Sequence, residues 1–90
     1  MSAIELTVEI VGWLGAALIL LAYALLTAGR IQAQSFAYQG MNVLGAAGFI
    51  VNSGWNGAIP SAALNVVWAG IGLFAILRLA RRGQGPATPE

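Results

Sequence analysis

Ile10–Ala28 reads IVGWLGAALILLAYALLTA, nineteen residues without one Asp, Glu, Lys or Arg. Two more such stretches follow, Ser35–Ser53 (SFAYQGMNVLGAAGFIVNS) and Ile59–Leu77 (IPSAALNVVWAGIGLFAIL). At 1.5 Å rise per helical residue each would be ~29 Å long, the thickness of a bilayer's hydrocarbon core. The chain therefore reads as an all-α membrane protein, a bundle of three transmembrane helices over about 10–28, 35–53 and 59–77. Residues 1–9 form a short N-terminal segment, and residues 78–90 a basic and then disordered cytoplasmic tail.

Composition points the same way. A chain that is 59% hydrophobic and 8% charged, with twelve glycines in ninety residues, lacks the charged surface a water-soluble domain of this size needs. The absence of cysteine and histidine leaves no disulfide, thiol nucleophile or His-based metal site. Four basic residues are too few for a nucleic-acid surface. Met1–Glu9 carries Glu5 and Glu9 but no basic residue, unlike the basic start of a cleaved signal, so the first apolar run reads as a retained helix.

The breaks between runs have recognisable chemistry. Gly29 follows the last apolar turn of the first run and suits a helix stop, and Ser35 suits an N-cap for the second. Asn52–Gly57 (NSGWNG) is rich in turn residues, and Pro60 falls in a first helical turn, where a missing N–H costs little. Gly83–Glu90 offers no apolar residues with which to pack. Arg30, Arg78, Arg81 and Arg82 all fall on one side of a three-span chain, which orients the N-terminus outward and the C-terminus into the cytoplasm. Trp13 and Trp55 then fall near the outer interface, where indole rings concentrate.

Inside the spans the unusual residues are Asn42, Asn52, Asn65, Gln39, Tyr23 and Tyr38. An unsatisfied amide in hydrocarbon costs several kcal/mol, so these must face protein or water. On the second helix Tyr38, Asn42, Gly45, Phe49 and Asn52 fall within an arc of ~80°; on the third, Ser61, Asn65, Trp68 and Gly72 recur with the same spacing. Such stripes serve either helix packing, aided by Gly12, Gly15, Gly45 and Gly48, or a path for a small polar uncharged solute. Asn65 and Asn52 read as groups of the path, Asn42 and Gln39 as packing groups. In the packing alternative Asn65 bonds a backbone carbonyl near Pro60. No ionisable group lies between Glu9 and Arg78 except Arg30, so coupling to protons is not expected. With no carboxylate pair, activated nucleophile or metal cluster, neither enzymatic activity nor a cofactor is expected.

Three passages, Ser35–Tyr38, Phe49–Asn52 and Pro60–Asn65, together resemble the three-helix repeat unit of the PQ-loop superfamily, whose sugar-transporting members are the SemiSWEETs. The resemblance covers most of Gly12–Leu77. It implies a solute pocket in which Asn65 matches the family's helix-three asparagine and Phe49 stands where a larger tryptophan is usual. The family's Pro-Gln hinge on helix one is replaced by Ala22-Tyr23, as in small uncharacterised bacterial inner-membrane proteins of the same kind. The expected function is thus a parallel homodimer in the bacterial plasma membrane that carries or binds a small neutral polar solute at the dimer interface. Its solute-binding residues would be Asn65, Phe49, Trp68, Asn52 and Tyr23. A non-transporting subunit or assembly factor, gripping a partner with the same stripes, is the alternative; a holin-like lesion former would not need aligned amides.

Overall fold

The computed structural model describes residues 1–84, which form three α-helices: α1 (Ala3–Thr27), α2 (Phe36–Trp55) and α3 (Ile59–Gln84). Two of them, α1 and α3, are long and apolar enough to cross a membrane. The helix positions follow the apolar runs, but two boundaries move outward. Seven residues expected in the N-terminal segment are helical: Ser2 caps α1, its Oγ accepting the Glu5 N–H at 3.0 Å. Ser2 and Glu5 have the spacing of a capping box, and an acidic residue in the first turn suits the helix dipole. At the other end, α3 runs through Arg78, Arg81 and Arg82 to Gln84, so the expected tail at Gly83 and Gln84 is instead the last turn of a helix. Basic residues there complement the negative end of the dipole. The rest of the expected tail lies outside the described residues.

Both connections are built by glycine. Gly29 has φ +75°; its N–H bonds the Leu26 carbonyl at 3.1 Å, and the Arg30 N–H bonds that of Leu25 at 2.9 Å. Gly57 has φ +72°, and the Gly57 and Ala58 N–H groups return to Gly54 and Ser53 at 3.3 and 2.8 Å. These paired reversals are Schellman motifs, which satisfy terminal carbonyls and need a residue tolerant of positive φ. Ser35 caps α2 as expected, accepting the Tyr38 N–H at 3.1 Å.

The helices run up, down and up, with α2 in the middle. Both α1 and α3 pack on α2, and among the described residues no Cα atom of α1 lies within 8 Å of one of α3. Glycine brings α1 and α2 into backbone contact. A methyl group on Gly15 would meet the Gly45 carbonyl oxygen at 2.6 Å, and one on Gly48 would meet the Val11 carbonyl oxygen at 2.7 Å. On the other side, Gly72 of α3 lies under Val43 of α2. Close approach of this kind is how helices attract one another where hydrophobic burial gives no driving force.

The distribution of apolar residues is the reverse of a water-soluble bundle. Among the described residues the buried hydrophobic ones are small, namely Val8, Ala22 and Ala46, and no large side chain is fully enclosed. Large residues such as Leu14, Leu20, Leu44, Leu64, Ile71 and Phe74 point outward, while Asn42 and Ser53 are buried.

Candidate functional site

The polar residues divide between the two sides of α2. On the α3 side, the Trp68 indole N–H donates to Asn42 Oδ1 at 3.2 Å, and Asn42 Nδ2 donates to the Tyr38 carbonyl at 2.8 Å. One turn from the end of α2, the hydroxyls of Ser53 and Ser61 share a hydrogen bond of 2.8 Å. Asn65 is half-buried, and its Nδ2 donates to the Ser61 carbonyl of its own helix at 2.9 Å. The α3 stripe of Ser61, Trp68 and Gly72 is therefore the seam against α2. No buried side-chain nitrogen or oxygen among the described residues lacks a partner.

On the α1 side, Asn52 Nδ2 reaches across to the Val8 carbonyl at 2.9 Å. Val8 cannot use that carbonyl fully in its own helix without leaving a second lone pair, and the amide occupies it. Gly12 makes the crossing possible, because a methyl there would meet Asn52 Nδ2 at 2.5 Å. Beside this bond lies a cleft of about 240 Å³ lined by Glu9, Gly12, Trp13, Ala16, Phe49 and Asn52. Trp13 donates its indole N–H to Glu9 Oε1 at 3.1 Å, which fixes the carboxylate over the cleft. The nitrogens of Trp13 and Asn52 are thus both engaged within the chain. What the cleft presents is a carboxylate and the rings of Phe49 and Trp13, beside an Asn52 amide whose oxygen accepts from Asn56 Nδ2 at 3.4 Å. Its chemistry favours an occupant that donates hydrogen bonds and has a face to lay on a ring.

Of the five residues expected to bind solute, one chain brings together Phe49 and Asn52. Trp68 lies in a separate groove of about 140 Å³ with Tyr38, Gln39, Asn42, Ile71 and Gly72. Asn65 is turned to its own backbone, the bond anticipated by the packing alternative. Tyr23 is 63% exposed on α1, next to the buried Ala22. Glu9 and Trp13 were legible as site residues only through their i, i+4 spacing, which places an indole donor over a carboxylate. Ser53 and Ser61 carried no comparable signal, since their pairing depends on the turn at Gly57.

The described residues form three helices, two of spanning length, held by glycine contacts and amide bonds. The chain belongs to a protein family of unknown function, whose model matches residues 8–83 and so takes in nearly all of the three helices. No curated protein and no solved structure matches the chain.

Proposed function

We propose that the chain is an integral membrane protein of three spans that binds a small polar solute in the α1–α2 cleft. The observation that carries the binding reading is the cleft itself, where Phe49 and Asn52 meet Glu9 and Trp13 in a volume fit for a small molecule. The membrane reading is supported by large apolar side chains facing outward while amides and hydroxyls pair inside, as a lipid solvent requires. α2 is ~30 Å long and lies antiparallel between two helices of spanning length. If α1 and α3 cross in the same direction, α2 must return across the membrane between them.

The arginines sit at the end of the bundle formed by the α1–α2 connection and the C-terminal turns of α3. That arrangement favours N-terminus outside and C-terminus in the cytoplasm of a bacterial plasma membrane. Glu9 then lies near the outer surface, so the cleft opens to that side. A parallel homodimer, of the SemiSWEET-like kind that the sequence resembles, would cover the open side of the cleft. The test is binding of labelled polyols, sugars and amines to the full chain in nanodiscs. Saturable binding of at least one class, weakened in Phe49→Ala and Asn52→Ala, is expected; no binding by any class would remove the proposal.

A second reading, the non-transporting subunit, is favoured by one observation: Asn42, Asn52 and Asn65 all bond within the chain. In that case the polar stripes hold the module together and a partner docks elsewhere. Recovery of one stoichiometric membrane partner from native membranes, without solute binding, would select it.

A further inference from the structure

A second cleft lies at the opposite end of the molecule, far from Glu9. It has a volume of about 150 Å³ and is lined by Gln34, Gln39, Ala75, Arg78, Leu79 and Arg82, so the connection before α2 forms one wall and α3 the other. Arg78 and Arg82 are one helical turn apart and share a face of α3. Gln39 is held in place by its Nε2, which donates to the Ala33 carbonyl at 2.8 Å. The Arg78 guanidinium lies 5.9 Å from the ring centre of Phe74, which steadies its plane. The acidic residues among those described, Glu5 and Glu9, belong to the first turns of α1 at the other end of the bundle.

We infer that this cleft binds a phosphate-bearing anion. Two guanidiniums present ten N–H donors between them in fixed forks, the geometry that grips phosphate oxygens in pairs. The volume equals about five water molecules, enough for a phosphate group and the first atoms attached to it. Leu79 and Ala75 supply an apolar floor beside the charges, as an amphiphile's headgroup region would meet. Position along α3 favours the same occupant. Arg78 lies nineteen residues beyond Ile59, ~29 Å along the helix, so if α3 spans, its guanidinium reaches the headgroup plane of the far leaflet.

The phosphate can come from an anionic lipid or from a soluble anion, and the lipid source rests on the membrane reading above. The full chain in detergent would be exposed to equimolar phosphatidylglycerol and phosphatidylcholine and examined by native mass spectrometry. Separately, inorganic phosphate would be titrated without lipid while Tm is followed. Retention of phosphatidylglycerol over phosphatidylcholine by about fivefold for each arginine is expected. The preference should vanish in the Arg78→Gln/Arg82→Gln variant and persist in Arg81→Gln, a charge that does not line the cleft. Arg78→Lys/Arg82→Lys, which keeps charge and solubility, should retain only part of it and guards against misfolding of the glutamine variant. Equal retention of the two lipids together with no phosphate-dependent rise in Tm, or an equal loss in Arg81→Gln, would overturn the inference. A rise in Tm with inorganic phosphate, absent in the double variant, would assign the site to soluble anions. It would uphold the site even if the chain proved extractable from membranes by alkaline carbonate, a result that removes the membrane reading alone.

Discussion

Trp68 on α3 and Asn42 on α2 are joined by a hydrogen bond of 3.2 Å, and Asn42 relays it to the Tyr38 carbonyl one turn earlier. Both polar atoms of the buried Asn42 amide have a partner, the oxygen on α3 and the nitrogen on its own helix. The pair therefore acts as a clamp between α2 and α3. In a double-mutant cycle of Asn42→Ala and Trp68→Phe, measured by unfolding in mixed detergent, the coupling should be about 0.6 kcal/mol, the usual size for such pairs. Strict additivity would show that the bond contributes nothing.

Glycines on α1 and α2 should differ sharply from one on α3 that faces open space. Gly48→Ala forces a methyl against the Val11 carbonyl oxygen and should destabilise the chain by about 1–3 kcal/mol. Gly70 has nothing within 4 Å of an added methyl, so Gly70→Ala should stabilise α3 by about 0.5–1 kcal/mol. Opposite signs in the same unfolding assay are the expected outcome. Equal effects would contradict the close crossing of α1 and α2.

Asn65→Ala should leave solute binding within about twofold of wild type, because its amide is turned to the Ser61 carbonyl. Phe49→Ala should weaken binding about tenfold, the equivalent of one lost aromatic contact of ~1.4 kcal/mol. Equilibrium binding in nanodiscs checks both. Loss of binding in Asn65→Ala with retention in Phe49→Ala would move the site to the α2–α3 side.

The three helices were legible because nineteen-residue apolar runs and glycine stops are written directly in the chain. Gly29 and Gly57 mark both reversals, and Ser35 its cap. The outer ends were hidden for a physical reason: beyond the apolar runs, Glu5, Glu9 and Arg78–Arg82 continue the helices as polar turns, and a hydropathy window stops where the charge begins. The Ser2–Glu5 capping pair was present in the sequence as the missing signal. For the site, helical spacing aligned Phe49 with Asn52 and Ser61 with Trp68, but spacing cannot say which neighbour a stripe faces. Since α2 has a neighbour on each side, Phe49 and Asn52 fall in the cleft against α1 while Trp68 falls in the groove against α3.

Orientation can be read from a reporter placed after Glu90. The arginine-bearing end predicts a cytoplasmic C-terminus, so a fluorescent protein fused there should be bright and an exported phosphatase fused there inactive. The reverse pattern would invert the topology and place the Glu9 cleft on the cytoplasmic face.

The most direct measurement is single-cysteine labelling in intact cells, made clean by a chain without native cysteine. Gln32→Cys lies in the connection before α2 and Asn56→Cys in the connection after it. If α2 crosses the membrane between α1 and α3, an impermeant maleimide should label Asn56→Cys from outside and reach Gln32→Cys only after the cells are opened. Labelling of both positions from the same side would show that α2 does not span, and the three-span account would fail.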